Sequence, residues 1–248
     1  MIVLNGKLSV VIPAYNEEKL IYENLLQTCT ILAGFVSEFE VIVVNDGSQD
    51  RTGEEMRRAS EEDNRIHCLT HAKNQGKGGA IITGVKACTG QYIAFVDADL
   101  ELNPSQLEGF FNKMLATGKD AVIGCKFHKD SELEYPWKRK VMSMGYYLML
   151  LVLFHLNVKD TQTGLKLFRA EALKPVAELI QTTGFAYDIE ILTAIHRRGF
   201  TITEMPVKVV YIRESGAKRI GFRHVVRAFC DTWAIFYRVY FKRCYDIR

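Results

Sequence analysis

The chain has 248 residues, enough for one α/β domain or two small ones, and its 48% hydrophobic and 25% charged content is ordinary for a folded soluble protein. The formal net charge of +3 is too small to indicate a nucleic-acid partner. The six cysteines form no CxxC pair, so we interpret them as free thiols in a reducing compartment.

The first 125 residues alternate between strand and helix patterns. The N-terminus lacks the basic start and cleavage site of a secretory signal and already reads as a strand. Five short apolar strands are predicted, in the segments LSVVIPA, FEVIVVNDGS, IHCLT, YIAFVDAD and DAVIGC. Helix patterns separate them, the first from about Glu17 to Leu32. Apolar strands alternating with helices favour an α/β fold with a mostly parallel sheet and helices on both faces.

The second half is less regular. The apolar centre of VMSMGYYLMLLVLFHLNV is about a dozen residues, against the roughly 20 that a membrane-spanning helix needs, and favours an interfacial or buried helix. The polar loop KDTQTG leads to a short strand and helix, and a further helix is predicted from about Asp188 to Arg198. Pro206 predicts an edge strand, and an amphipathic helix follows from about Ile220 to Lys242.

Polar clusters follow three of the predicted strands: AYNEE after the first, NDGS after the second and DADLE after the fourth. Ligands of parallel sheets bind at the carboxyl ends of the strands, so these clusters predict a binding site there. Asp97 and Asp99 would point to the same side of an extended segment, where two carboxylates repel unless a cation lies between them. Oxygen ligands favour Mg²⁺ or Mn²⁺, with Glu101 as a third ligand or an acceptor behind the ligands. The alternative is a solvated turn.

A glycine-rich segment, Gly76, Lys77, Gly78 and Gly79, stands directly before a predicted helix. Backbone N–H groups and the positive end of a helix dipole attract phosphate, and Lys77 adds a charge. The spacing is neither that of a P-loop nor that of a dinucleotide-binding fingerprint. A flexible loop with a helix cap is the alternative interpretation.

Together these motifs resemble the family 2 glycosyltransferases of GT-A fold, a Rossmann-like architecture, over about residues 7–215. The resemblance is nearest to the dolichyl-phosphate and polyprenyl-phosphate mannose or glucose synthases, with DTQTGLKLF more similar to the glucose branch. It rests on four segments in the family's order, VVIPAYNEE, VIVVNDGSQDRT, NQGKGGAIITGVKACTGQYIAFVDADLELNP and DTQTGLKLFRAEAL.

The resemblance implies roles for particular residues. A nucleoside-diphosphate sugar, UDP- or GDP-linked, would be bound by Asp46 at the base, by Gly76, Lys77 and Ala98 near the nucleotide, and by the pocket residues Pro13, Ala14, Tyr15 and Glu17. Asp97 and Asp99 would hold the Mg²⁺ or Mn²⁺ that bridges the diphosphate and stabilises its charge as the sugar leaves.

The acceptor separates three hypotheses. A lipid phosphate is mostly dianionic at pH 7 and needs cations rather than a general base, for which the resemblance offers Lys126, Arg139, Arg213 and Lys218. The chain would then be an inverting hexosyltransferase acting on dolichyl or polyprenyl phosphate. With a hydroxyl acceptor on a polysaccharide or glycolipid, Asp188 would be the catalytic base, although it also fits a purely structural helix N-cap. The third hypothesis is a non-catalytic sugar-nucleotide-binding or assembly subunit.

A lipid acceptor implies contact with a membrane. We therefore expect a catalytic domain at residues 1–215, with an interfacial or acceptor helix at about 138–157, and an amphipathic basic segment at 216–248 that faces the membrane or a partner. The enzyme would be peripheral on the cytoplasmic face, as a homo-oligomer or recruited by a membrane anchor subunit. Glucose or mannose, the lipid length and the choice of metal stay open.

Overall fold

The structure is a computed structural model that describes residues 6–128, 130–131, 147–184, 186–210 and 222–246, with backbone only for 222–228. Within this part the chain forms a seven-stranded sheet of order β3-β2-β1-β4-β6-β5-β7. The strands are β1 (Leu8–Ala14), β2 (Phe39–Asn45), β3 (Ile66–Thr70), β4 (Tyr92–Phe95), β5 (Ala121–Cys125), β6 (Lys166–Arg169) and β7 (Ile202–Pro206).

Helices cover both faces of this sheet. They are α1 (Ile21–Ala33), α2 (Thr52–Glu62), α3 (Lys77–Ala87), α4 (Leu107–Thr117), α5 (residues 147–154), α6 (Ala170–Ala177), α7 (Tyr187–Arg197) and α8 (Phe222–Tyr240), with a 3₁₀ turn at Pro104–Gln106. None of the helices in the described part is long and apolar enough to cross a membrane.

Two apolar cores form because buried residues alternate along the strands. Val10 and Ile12 of β1 pack on one face with α1, α2 and α4, whereas Val11 packs on the other face with α3, α6 and α7. The helices bury the matching stripes; in α1 the buried positions recur every three or four residues, at Ile21, Leu25, Thr28, Cys29 and Leu32.

The expected Rossmann-like α/β architecture is confirmed, including the edge position of β7 with Pro206. The predicted helix at about Asp188–Arg198 is α7, and the predicted C-terminal helix is α8. One feature was not predicted: β6 runs antiparallel between β4 and β5, so the second half of the chain inserts a reversed strand into the sheet. The part of the expected interfacial helix before residue 147 lies outside the described residues.

Candidate active site

The loops that follow β1 and β2 are bound to each other at the carboxyl edge of the sheet. Asn16, whose φ of 56° is left-handed, donates its N–H to Ser48 Oγ at 3.0 Å, and its Oδ1 accepts from the Gln49 N–H at 3.0 Å. The Glu17 N–H donates to Thr52 Oγ1 at 2.8 Å. These bonds satisfy backbone groups where the strand ladder stops, and they bring the first two predicted polar clusters together.

The residues predicted to form a nucleoside pocket stand at the end of β1 and on the loop that follows it. Ala14 is buried at the end of β1, Pro13 and Glu17 are half-buried, and the ring of Tyr15 is 43% exposed. Their contact with a nucleoside stays a prediction.

Asp46 shapes the next loop along the edge. The side chain is buried; Oδ1 accepts from the Gln75 N–H at 2.8 Å, and Oδ2 accepts from the Gly76 N–H at 2.8 Å. His71 Nδ1 lies 2.8 Å from Asp46 Oδ1, and His71 Nε2 lies 2.9 Å from Thr83 Oγ1. Asp46 therefore holds the turn that leads into α3. Its predicted contact with the base stays a prediction.

The glycine segment makes a close backbone contact with the loop before α7. Gly76 has φ of +90°, and a Cβ there would lie 2.5 Å from the Thr183 carbonyl oxygen. The Gly78 N–H donates to that same oxygen at 2.9 Å. Since α3 begins at Lys77, the glycines place this lysine and the helix N-terminus beside the end of β4.

The DAD segment is a turn, so the expected extended backbone from Asp97 to Asp99 is wrong. β4 already ends at Phe95, and the Leu100 N–H donates to the Asp97 carbonyl at 3.3 Å. Asn24 Nδ2 on α1 donates to the Ala98 carbonyl at 2.7 Å and fixes the turn. The carboxylates of Asp97 and Asp99 are both partly exposed at this edge.

Asp97 is paired with Lys77. Lys77 Nζ lies 2.5 Å from Asp97 Oδ1, and the two side chains are 31% and 30% exposed. Burial would raise the pKa of Asp97, but the charges of Lys77, Lys166 and Lys126 lower it below its usual value. Asp97 is therefore a carboxylate at neutral pH. A phosphate bound at this edge could replace it as the anionic partner of the Lys77 ammonium.

A second ion pair, Lys166 with Asp188, lies behind the first. Lys166 is 1% exposed, and its Nζ donates to Asp188 Oδ1 and to the Thr163 carbonyl, both at 2.6 Å. Burial raises the pKa of Asp188, and the charges of Lys166 and Lys77 oppose this rise. The expected N-cap role of Asp188 is wrong. Ala186 is the N-cap of α7, and the Asp188 side chain turns inward because a buried ammonium needs a partner.

Gly164 lies directly against Asp97. A Cβ on Gly164 would fall 1.9 Å from Asp97 Oδ2, so any side chain at this position would displace the Asp97 carboxylate. Asp160 builds this loop: its Oδ1 accepts from the Thr163 N–H at 3.2 Å, and its Oδ2 accepts from the Lys126 N–H at 3.0 Å. The DTQTG segment therefore forms one wall of the site.

Of the four predicted phosphate-clamp cations, only Lys126 is described. It is half-buried just beyond the end of β5, close enough for its charge to lower the pKa of Asp97. Arg139, Arg213 and Lys218 lie outside the described residues.

The chemistry of the DAD turn fits a hard divalent cation. Asp97 and Asp99 offer partly exposed carboxylate oxygens, the ligands that Mg²⁺ and Mn²⁺ prefer. The Glu101 N–H donates to Asp99 Oδ1 at 3.2 Å, and the metal role of the Glu101 carboxylate stays a prediction. Within the described part of the chain, no three His, Cys, Asp or Glu side chains are grouped as a metal site.

Sequence reasoning missed four residues that build this site: His71, Asp160, Gly164 and Lys166. Asp160, Gly164 and Lys166 stand in the DTQTGLKLF segment that carries the family resemblance, which was their only signal. A lysine next to leucines in a short strand is otherwise indistinguishable from a surface charge.

Two relatives are similar to this chain over most of its length. It is 32% identical over 203 residues to the glycosyltransferase AglD of Haloferax volcanii, covering 81% of this chain but 32% of that protein. It is 31% identical over 246 residues to the dolichyl-phosphate beta-glucosyltransferase ALG5D of Trichomonas vaginalis, covering 93% of this chain and 74% of that protein. The chain thus spans about a third of AglD and most of the Trichomonas protein.

A solved structure has the same fold. Glucosyl-3-phosphoglycerate synthase from Mycobacterium tuberculosis, in complex with Mn²⁺, UDP and phosphoglyceric acid, superposes with a TM-score of 0.67 at 19% identity and covers 98% of this chain and 80% of that one. The model of the family described as Glycosyl transferase family 2 matches residues 9–176, most of the chain. The chain, with its seven-stranded mixed sheet and the charged edge around Asp97, belongs to glycosyl transferase family 2 and has the GT-A fold.

Proposed function

We propose that the protein is an inverting hexosyltransferase that moves a sugar from a nucleoside diphosphate to the phosphate of a polyprenyl or dolichyl phosphate. The observation that carries this proposal is the state of Asp188. Its carboxylate is 5% exposed and is bound by Lys166 at 2.6 Å, whereas a general base must reach the proton of a hydroxyl acceptor. A phosphate acceptor needs no base because it is mostly dianionic at pH 7.

The donor would lie along the carboxyl edge of the sheet, with its diphosphate beside Lys77 and the N-terminus of α3. Asp97 and Asp99 would hold a divalent cation, which supplies positive charge to the departing diphosphate. Binding of phosphate would draw Lys77 away from Asp97 and free that carboxylate. We favour UDP-glucose, because a relative is named a dolichyl-phosphate beta-glucosyltransferase and the structural neighbour was solved with UDP and Mn²⁺.

The acceptor phosphate would approach from the side of Lys126 and the DTQTG wall. Arg139, Arg213 and Lys218 would complete its charge balance. A single in-line attack of the phosphate oxygen on the anomeric carbon breaks the sugar–diphosphate bond and inverts the configuration. The side chains hold two anions close together rather than move a proton, which agrees with an Asp188 that is already neutralised by Lys166.

A membrane surface would deliver the lipid. The aromatic side chains of Phe229, Trp233 and Tyr237 on α8, and of Phe241 directly after it, follow one another at four-residue spacing and are 49–71% exposed. On α5 Leu148 and Val152 are 51% and 72% exposed. Exposed aromatic rings with flanking cations such as Lys242 are typical of helices that lie in a membrane interface, so we infer a peripheral enzyme on the cytoplasmic face.

The test supplies the purified protein with labelled UDP-glucose or GDP-mannose, Mn²⁺ or Mg²⁺, and a short polyprenyl phosphate. We expect label to enter the organic phase from one donor, and to do so with the phosphate but not with the matching polyprenol. Asp99→Asn should abolish transfer, whereas Glu61→Gln, an exposed acid-to-amide change on α2, should leave it intact.

Asp188→Asn separates the two acceptor classes. An amide can still accept from Lys166, so substantial transfer to the lipid phosphate is expected. Transfer to polyprenol or to an oligosaccharide by the unaltered protein, lost in Asp188→Asn, would instead establish the hydroxyl-acceptor mechanism.

A further inference from the structure

Glu190 is a buried carboxylate that the proposed chemistry does not use. It lies on α7, is 0% exposed, and its Oε2 accepts from the Thr182 N–H at 2.7 Å and from the Gln181 N–H at 3.3 Å. Its Oε1 accepts from Arg238 Nε at 2.9 Å and from the Tyr245 hydroxyl. One carboxylate thus joins the loop before α7 to α8 and to the segment after it.

Arg238 reaches the same loop directly. Its Nη2 donates to Thr182 Oγ1 at 2.7 Å, and its side chain is only 13% exposed. The guanidinium therefore contacts Glu190 and Thr182 at once, which a planar group with several donors can do and an ammonium cannot do as well. A buried carboxylate that loses its cation is left with an uncompensated charge, so the arrangement is strongly coupled.

The loop that this network holds, residues 181–183, is in direct contact with the glycine segment. The Thr183 carbonyl, one residue beyond the Thr182 N–H, accepts from the Gly78 N–H at 2.9 Å and abuts Gly76. Gly76 and Gly78 flank Lys77, whose ammonium contacts Asp97. A continuous set of contacts therefore leads from the C-terminal segment to the donor-binding edge.

We propose that Glu190 and Arg238 are positioning residues. Through them the docked C-terminal segment fixes Thr182 and Thr183, which contact the glycine turn, and this sets the affinity for the donor nucleotide. The inference rests on the proposed function only for the identity of that nucleotide. α8 would then have two roles. Its exposed aromatic side chains would contact the membrane, and its Arg238 would hold the loop at residues 181–183 that positions the glycine turn.

The test compares Arg238→Met with Arg197→Met. Arg197 is the matched control, because it also joins α7 to the C-terminal segment, through Asp246 at 2.8 Å, but makes none of the contacts with residues 181–183. Calorimetric titration with UDP or GDP and Mn²⁺ should give about tenfold weaker binding for Arg238→Met and a change of less than about twofold for Arg197→Met. Arg238→Lys, which keeps the charge, should recover part of the affinity.

Hydrogen exchange gives a readout without any nucleotide. In the free protein the Gly78 amide should exchange faster in Arg238→Met than in Arg197→Met, because its acceptor on Thr183 is less well held. If Arg238→Met does not fold, Thr182→Val, which removes only the hydroxyl acceptor, replaces it, and about threefold weaker binding is expected. Equal nucleotide affinity and equal Gly78 exchange in the variants and controls would overturn the inference.

The outcomes distinguish this inference from the proposed function. An unaltered protein that binds neither nucleotide contradicts the donor assignment, while Gly78 exchange still decides the positioning role. An unaltered protein that binds nucleotide but transfers no sugar to lipid phosphate contradicts the proposed acceptor only.

Discussion

Gly164→Ala should damage the site while leaving the fold nearly intact. The new methyl carbon would lie 1.9 Å from Asp97 Oδ2 and 2.4 Å from Asp97 Cγ. A relaxed carbon–oxygen contact needs about 3.4 Å, so the carboxylate must move by more than about 1 Å. Because a carboxylate at the edge of the site can rotate away, the cost to folding should stay near the lower end of the 1–3 kcal/mol that overpacking typically causes.

The cost to activity should be much larger. A displacement of about 1 Å in a group that positions the reactants can lower the rate about a hundredfold, equivalent to about 2.7 kcal/mol of transition-state stabilisation. The displaced Asp97 would also lose its 2.5 Å contact with Lys77. We therefore expect kcat/KM for sugar transfer to fall about a hundredfold.

The assay pairs initial-rate kinetics with thermal unfolding and uses Gly109→Ala as the control. There the added methyl meets the flexible end of Met205, with Cε at 2.5 Å and Sδ at 3.6 Å, which can move aside, and the position is on α4 rather than in the site. A Gly164→Ala protein with unaltered kcat/KM would falsify the assignment of Asp97 and the DTQTG wall to the active site.

Three further predictions concern stability and membrane contact. Burial would raise the pKa of Glu40, but hydrogen bonds from Lys7, Ser9 and Thr89 lower it from 4.5 to about 2, so Glu40 stabilises the fold above pH 4.5 by about 3 kcal/mol. This contribution is lost as the pH falls toward 2. In urea titrations Glu40→Gln should have a lower free energy of unfolding at pH 7, and that free energy should depend less on pH. Equal pH dependence in the variant and the unaltered protein would contradict the pairing. Lys166→Met should lower the free energy of unfolding by about 3–5 kcal/mol because it leaves Asp188 unpaired, and the double variant Lys166→Met with Asp188→Asn should recover much of this loss. Additive losses in denaturant titrations would refute the coupling. Trp233→Ser should weaken co-sedimentation with anionic vesicles without changing nucleotide affinity, whereas unchanged sedimentation would argue against α8 as the membrane face.

Local patterns predicted the strands and the edge at which the site lies. β1, β2 and β4 are short apolar runs that polar clusters follow, and parallel strands bring such clusters to one edge of the sheet. The same reasoning failed at Asp97 and Asp99, because β4 stops at Phe95 and a turn closed by Leu100 replaces the extended chain. A strand end cannot be located to within two residues from an apolar run that continues into polar sequence.

What the amino-acid order by itself determined is the alternation of strands and helices, the acidic residues after β4 and the glycines before α3. Only the tertiary structure decided which side chains interact with each other. Asp188 could be a helix cap, a base or half of an ion pair, and it became the last because the reversed strand β6 places Lys166 within 2.6 Å of it in a water-excluded space. A buried charge selects its partner by proximity in three dimensions, and residues 22 positions apart carry no local signal of that choice.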